Sequence, residues 1–141
     1  MLNCYIVMKI IYFLINTVNK DHPSFIVFGN RGEIFFTHKF IDRQENLIRL
    51  LSGFFKKYKI KPEKIKAVLV INGPGFFVGS RAGVTLANSF NFLYKIPVLG
   101  VEDIGGSVIE LIENNLKKLK KIKKNSTASV YYSRGLNITK K

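Results

Sequence analysis

The sequence predicts an α/β fold in which a mixed five-stranded sheet is flanked by helices. Two observations support this prediction. The first 40 residues contain three short apolar segments separated by turn residues, which is typical of an antiparallel meander. After residue 40, segments with helical periodicity alternate with short apolar runs, which is typical of parallel strands joined by helices. The predicted order of elements is therefore β-β-β-α-β-α-β-α.

The three strands of the meander are predicted at residues 9–15, 24–28 and 33–40. The first is rich in Ile, Tyr and Phe, and a turn ending in Pro23 separates it from the second. The Gly-Asn-Arg-Gly sequence at residues 29–32 is of the kind that closes a hairpin. We interpret residues 1–7 as a short extension or an upstream start.

The first helix is predicted over residues 43–59, with Asp42 as its N-cap and Glu45 as the capping-box partner. Its apolar residues recur at steps of three and four and form one stripe that must pack against another element. The stripe consists of Leu47, Leu50, Leu51, Phe54, Phe55 and Tyr58.

The remaining elements alternate between strand and helix. The apolar run at 65–71 predicts a central strand that is covered on both faces. A second helix is predicted at 80–94, a fifth strand at 97–101 and a third helix at 102–121, whose first turn contains the weak helix formers Gly105 and Gly106. The second helix has an apolar series consisting of Val84, Ala87, Phe90, Leu93 and Tyr94. The third has one consisting of Ile104, Val108, Leu111, Ile112, Leu116 and Leu119.

This layout is typical of a ribonuclease H-like domain, the unit from which actin-like ATPases are built. We predict one such domain at residues 8–121 and a basic C-terminal tail at 122–141. Apolar residues make up 47% of the chain, enough for a self-sufficient core.

Composition argues against several kinds of site. The single cysteine, Cys4, cannot form an internal disulfide, and His22 and His38 are not spaced as metal ligands. The apolar start of the chain is interrupted by Lys9 and is too short to span a membrane. We therefore expect a cytoplasmic protein that does not associate with membranes.

The net charge of +14 is concentrated near the C-terminus. From residue 117 onward the chain has nine lysines and arginines and no acid. A run of this kind is either a solvated surface or a contact for a polyanion such as RNA. The candidate RNA contacts are Lys117, Lys118, Lys120, Lys121, Lys123 and Lys124.

A glycine-rich loop follows the predicted central strand and contains Gly73, Pro74 and Gly75, with Gly79 opening the next helix. A loop in this position is suited to holding a phosphate, because backbone N–H groups and a helix N-terminus attract anions. It lacks the Gly-Lys-Ser/Thr ending of a P-loop. The alternative is that its glycines only allow a sharp turn and close packing of helix on strand.

The stretch Asn-Gly-Pro-Gly-Phe-Phe-Val-Gly-Ser-Arg-Ala-Gly-Val at 72–84 resembles the hallmark of the TsaB family of bacterial tRNA-modification subunits. The segments Lys-Ile-Pro-Val-Leu-Gly-Val at 95–101 and Ile-Asn-Thr at 15–17 resemble neighbouring family segments more weakly. Residues 130–134 resemble the family's closing segment, which implies a shortened form without the second domain.

The resemblance implies a non-catalytic scaffold that activates the catalytic subunit TsaD in the synthesis of threonylcarbamoyladenosine on tRNA, together with the ATPase TsaE. It also implies that the first two helices form the partner interface. If the chain is an obligate partner of this kind, we expect it to form a homodimer or to aggregate when TsaD is absent. The implied interface residues are Leu47, Leu50, Leu51, Phe54, Val84, Ala87 and Phe90.

The motif also departs from the family pattern. Phe76 and Val78 replace hydroxyl residues, and Asn16 replaces the aspartate of the opening strand. An amide lacks the charge with which a carboxylate binds a metal. We therefore predict no catalytic residue, no cofactor and no metal, and we interpret the loop as a turn that positions the second helix.

The residues that we assign to the motif loop are Gly73, Pro74, Gly75, Gly79, Arg81 and Gly83. Arg81 lies in the first turn of a helix, where the dipole disfavours cations, so it is expected either to meet a carboxylate or an anion or to be a surface residue. Two other functions stay open at this point, a small basic RNA-binding accessory protein and an independent ATP-binding enzyme.

Overall fold

The structure is a computed structural model that describes residues 10–18, 24–39, 46–73, 77–103 and 105–129, with the backbone alone for 77–80. The strands are β1 (Ile11–Asn16), β2 (Ser24–Gly29), β3 (Ile34–Lys39), β4 (Ile65–Gly73) and β5 (Val98–Glu102). The helices are α1 (Leu47–Tyr58), α2 (Phe77–Tyr94) and α3 (Val108–Lys121), and a 3-10 turn at Pro62–Lys64 precedes β4. The predicted fold class and order of elements are confirmed.

The five strands form one mixed sheet in the order β3-β2-β1-β4-β5. β1, β2 and β3 pair antiparallel as the predicted meander, and the turn between β2 and β3 is closed by a bond from Gly32 N to Gly29 O at 3.0 Å. β4 pairs parallel to β1 and β5 pairs parallel to β4. Parallel strands need crossovers, and the helices provide them.

The first face of the sheet is covered by α1 and α2, and its core is aromatic. Phe13 of β1 lies at the centre, with its ring centroid 5.5 Å from that of Phe25, 5.9 Å from Phe54, 5.2 Å from Phe55 and 5.7 Å from Phe90. Aromatic pairs at such distances contribute about 0.5–1.5 kcal/mol each beyond their buried area. This cluster fixes where α1 and α2 lie on the sheet.

The opposite face of the sheet is covered by α3. Ile112 and Leu119 of this helix are buried against Tyr12, Leu14 and other apolar residues of the sheet. Burial also raises the pKa of the Tyr12 hydroxyl, since an ionised phenol is poorly solvated there. The alternation along β1 thus divides its side chains between two cores, with Phe13 and Ile15 on one face and Tyr12 and Leu14 on the other.

The predicted starts of α1 and α3 are too early. Asn46 has an extended backbone, and its side chain accepts bonds from Ile48 N and Arg49 N, so α1 begins at Leu47 and not at residue 43. The predicted cap at Asp42 with Glu45 lies outside the described residues.

α3 also begins later than predicted. Ser107 and Glu110 form a capping box, with bonds from Glu110 N to Ser107 Oγ at 3.1 Å and from Ser107 N to Glu110 Oε1 at 3.2 Å. Residue 102 belongs to β5, and Gly105 and Gly106 precede the helix with φ angles of 89° and 86°. They permit the turn into α3 and do not weaken its first turn; Ile104 lies outside the described residues.

Candidate functional site

The glycine-rich segment joins the carboxyl end of β4 to α2, as the sequence predicts. β4 ends at Gly73, whose φ is 129° and whose carbonyl accepts a bond from Asp103 N at 2.8 Å. Pro74 and Gly75 lie outside the described residues. Gly79 lies in the first turn of α2, which begins three residues earlier than predicted.

Gly83 determines how closely α2 packs against β1. It is buried, and a Cβ added there would overlap the side chain of Thr17, directly after β1. Glycine is thus required at this position because the helix approaches Thr17 closely, and not because of an unusual backbone angle. The predicted role of such glycines in close packing of helix on strand applies to Gly83.

Asn16, which stands where the family has an acid, is buried and its side chain accepts a hydrogen bond from the neighbouring backbone. It is 5% exposed, and its Oδ1 accepts a bond from Val18 N at 3.2 Å, which forms a local turn at the end of β1. Among the described residues, no group of three or more histidines, cysteines and acids is placed to hold a metal ion.

An apolar groove lies between α1 and α2 among the described residues. One part of it has a volume of about 520 Å³ and lies between the start of α1 and the first half of α2, where Arg81 is exposed at its wall. A second part of about 400 Å³ continues toward Pro62 and the end of α2. Ile48, Leu86 and Ser89 line both parts, so we treat them as one surface and call it the helix groove.

The residues predicted as a partner interface divide into two groups. Phe54, Val84, Ala87 and Phe90 are at most 5% exposed and belong to the chain's own core. Leu47, Leu50 and Leu51 are half-buried and pack against that core, and Leu47 and Leu51 also line the helix groove. The first group therefore positions α1 and α2, and only the second is near the surface.

The exposed apolar side chains of the groove were not among the predicted interface residues. Ile48 is 63% exposed, Leu93 is 63% exposed and Tyr94 is 40% exposed. Leu93 and Tyr94 belong to the predicted apolar series of α2, but the series runs past the edge of the core. Ile48 is not in the predicted stripe, although it precedes Leu51 by three positions and Phe55 by seven, and this helical spacing is the signal that could have identified it.

The described part of the predicted tail, residues 122–129, lies against the domain. Asn88 of α2 forms two hydrogen bonds with Ala128. The Nδ2 of Asn88 donates to the Ala128 carbonyl at 3.0 Å, and the Ala128 backbone N–H donates to the Oδ1 of Asn88 at 2.9 Å. Val98 N donates to Ser126 O at 2.9 Å, and Asn72 Nδ2 donates to Ser129 O at 2.8 Å. The chain thus passes from α3 around the start of β5 to the face that α2 covers.

The six candidate RNA contacts are all exposed. Four of them lie on the last two turns of α3, at Lys117, Lys118, Lys120 and Lys121. The other two, Lys123 and Lys124, lie in the segment 122–129 that follows the helix. In addition, no helix within the described residues combines the length and the apolar character that crossing a membrane requires.

Comparison with known proteins agrees with the predicted family. The sequence model of the family "TsaD: tRNA N6-adenosine threonylcarbamoyltransferase" matches residues 42–121, more than half of the chain. A tRNA N6-adenosine threonylcarbamoyltransferase of Phytoplasma australiense is 27% identical over 110 residues, which cover 77% of this chain and 32% of the relative. That of Aster yellows witches'-broom phytoplasma is 34% identical over 68 residues, which cover 48% of this chain and 25% of the relative.

Solved structures show the same fold. YeaZ from Pseudomonas aeruginosa superposes with a TM-score of 0.57 at 18% identity, covering 66% of this chain and 43% of YeaZ. A second P. aeruginosa structure, described as similar to peptidase YeaZ, gives 0.56 at 20% identity with the same coverage. The chain thus spans about a quarter to a third of the length of the curated relatives and under half of YeaZ. With the family match over α1 to α3, the chain belongs to the TsaD (tRNA N6-adenosine threonylcarbamoyltransferase) family, and it shares the fold of YeaZ.

Proposed function

We propose that the chain is a non-catalytic scaffold subunit that pairs with a TsaD-type catalytic subunit through the helix groove. In this proposal the complex transfers threonylcarbamoyl to the adenosine beside the anticodon of tRNA, in the cytoplasm and with a TsaE-type ATPase. The helix groove is the observation that supports the proposal, since it exposes apolar surface on the two helices that the family resemblance assigns to the partner.

The spacing of the groove residues suits a helical partner. On α1 the groove is lined by Ile48, Leu51 and Phe55, at steps of three and four, and on α2 by Leu86 and Phe90, one turn apart, with Leu93 beyond them. Rows of this kind form the ridges and grooves through which helices pack. Two helices from a partner would complete a four-helix arrangement over the first face of the sheet.

The exposure of the groove supports a partner over a solitary chain. Ile48 and Leu93 are each 63% exposed, and they lie on the same concave surface. Burying a side chain of this size contributes about 1.5–3 kcal/mol. The same surface on a second copy would account for a homodimer when the TsaD-type subunit is absent.

Substitution of Ile48 tests the proposal. Ile48→Glu places a charge in the groove and is expected to lower the affinity for a purified TsaD-type subunit at least about tenfold, because a central apolar contact is lost and a charge is buried. Titration calorimetry measures the affinity, and urea unfolding of the isolated chain is expected to show unchanged stability.

Ile109→Glu is the matched control. Ile48 and Ile109 are each the second residue of a helix, and Ile109 is 55% exposed on α3, at the opposite face of the sheet. The Ile109 variant is expected to bind as the unsubstituted chain does. Equal affinities for the two variants, or no binding by the unsubstituted chain, would refute pairing through the helix groove.

The second candidate function from the sequence, an RNA-binding accessory role, is supported by a different surface, the exposed lysines at and after the end of α3. That surface is compatible with the scaffold role, since the complex acts on tRNA.

A further inference from the structure

One edge of the sheet gathers lysines from three separate parts of the chain. β1, β4 and β5 all begin at this edge, where Ile11 pairs with Ile65 and Val68 with Val98. The three helices run from the opposite edge back toward it, so their C-terminal ends lie here. We call this surface the lysine edge and define it by thirteen exposed lysines: Lys56, Lys57, Lys59, Lys61, Lys64, Lys66, Lys95, Lys117, Lys118, Lys120, Lys121, Lys123 and Lys124.

Backbone contacts connect the three parts of the lysine edge. Val68 N donates to Pro97 O at 3.0 Å, which places the start of β4 beside the turn that follows Lys95. The side chain of Asn91 donates both to Ile96 O at 3.0 Å and to Lys124 O at 2.8 Å. A single amide therefore joins the turn before β5 to the end of the second lysine-rich stretch, and lysines from three parts of the sequence lie at one edge of the sheet.

The charge of the lysine edge is poorly balanced by acids. Residues 56–66 contain six lysines and one acid, Glu63, and residues 117–124 contain six lysines and no acid. Arg31 and Glu33, in the turn between β2 and β3 at the same edge, balance each other. An excess of this size produces a positive potential that extends about 8 Å from the surface at physiological salt.

Helix stabilisation accounts for only some of these lysines. Lys56 and Lys57 lie in the last turn of α1, where a cation interacts favourably with the helix dipole. That effect falls off beyond the last turn, and Lys61, Lys66 and Lys123 lie outside the helices altogether. Their clustering at one edge therefore needs another cause.

The arrangement favours an extended polyanion. α1 and α3 lie on opposite faces of the sheet, so the two lysine-rich stretches are separated by its thickness, and a small anion would meet few of the charges. A lipid surface is less well matched, because membrane-binding segments combine cations with exposed apolar residues. Within the two lysine-rich stretches Ile60, Ile65 and Leu119 are instead buried, and the exposed apolar residues Leu93 and Tyr94 beside Lys95 belong to the helix groove.

We propose that the lysine edge binds the phosphate backbone of a structured RNA. The inference rests on the proposed function only for the identity of that RNA as a tRNA, since none of the thirteen lysines lines the helix groove. Lysines that neutralise phosphates release the counterions of the RNA, so affinity depends steeply on salt.

The test is the binding of the full chain to a labelled tRNA transcript. Fluorescence anisotropy measures the affinity at KCl concentrations between 50 and 200 mM. If about six phosphates are neutralised, the logarithm of the association constant is expected to fall with the logarithm of salt at a slope of about −5. Two double variants, Lys61→Gln with Lys64→Gln and Lys120→Gln with Lys123→Gln, each remove two charges from one stretch. Each is expected to make the slope shallower by about two and to weaken binding roughly tenfold at 100 mM salt.

The matched control is Lys39→Gln with Arg49→Gln. It also removes two exposed charges, but from the opposite edge, where β3 ends and α1 begins. The control is expected to leave the slope and the affinity unchanged.

Three results would overturn the proposal. Equal weakening by the control would show that net charge alone determines binding. If only one of the two double variants of the lysine edge weakened the binding of tRNA, the two lysine-rich stretches would not form one surface. Binding to vesicles of phosphatidylserine and phosphatidylcholine, without binding to tRNA, would assign the edge to lipid. A chain that binds tRNA but no TsaD-type subunit would refute the proposed function and leave this inference standing.

Discussion

At the scale of single residues, Gly83 limits the distance between α2 and β1. A methyl group at this position would overlap Thr17, which is itself 5% exposed and has little room to move. Gly83→Ala is expected to lower the free energy of unfolding by about 1–3 kcal/mol, because overpacking outweighs the gain of about 1 kcal/mol in helix propensity. Urea unfolding of the isolated chain measures the change.

Gly53→Ala is the control for this prediction. Gly53 lies on the exposed side of α1, where an added Cβ would meet nothing within 4 Å. The substitution is expected to raise stability by up to about 1 kcal/mol. If the two alanine variants changed stability in the same direction, steric contact with Thr17 would not be the reason for glycine at residue 83.

The residue scale also shows where sequence reasoning stops. The motif at 72–84 correctly placed Gly83 within a helix, but only the fold brings that helix against Thr17. The apolar periodicity of α1 correctly identified Phe54 as a residue that must be covered. Periodicity cannot show whether the cover is another part of the same chain or a partner, and here it is the aromatic cluster around Phe13.

At the scale of elements, the segment 122–129 is held by side-chain amides of α2 and β4. Asn88→Ala removes both bonds to Ala128 and is expected to lower the free energy of unfolding by about 1–3 kcal/mol. The more specific effect is local: the amide of Ala128 is expected to exchange its hydrogen at least about tenfold faster, since its acceptor is lost. Hydrogen–deuterium exchange measures this rate.

Asn114→Ala is the matched control, because Asn114 is an exposed asparagine of α3. It is expected to change neither the stability nor the exchange at Ala128. An unchanged exchange rate in the Asn88 variant would contradict the attachment of this segment by α2.

Among the elements, strand positions could be predicted better than helix starts. Each strand is a short apolar run between turn residues, and pairing in the sheet confirms all five. The starts of α1 and α3 depend on which of several polar residues acts as the N-cap, and Asn46 and Ser107 are used. The attachment of residues 122–129 was not predictable, because their lysines indicate a solvated tail and the amides that hold them lie far away in sequence.

At the scale of the whole molecule, the fold forms two surfaces, which adjoin near Pro62 and Tyr94. The helix groove lies on the outer side of α1 and α2, and the lysine edge lies where the parallel strands begin. The sequence indicated both a partner interface and an RNA contact, but it assigned the RNA contact to residues 117–124 alone. Residues 56–66 join that surface only because α1 and α3 end at the same edge of the sheet.

The most direct measurement of the central claim is the amount of threonylcarbamoyladenosine in tRNA, determined by mass spectrometry in cells that lack their own modification subunits. Three cultures are compared. Two express the TsaD-type subunit and the TsaE-type ATPase of the same source, one with this chain and one without it. The third expresses this chain alone. The scaffold role predicts modified adenosine only when this chain and the TsaD-type subunit are both present. Modification by this chain alone, or equal modification with and without it, would contradict that role.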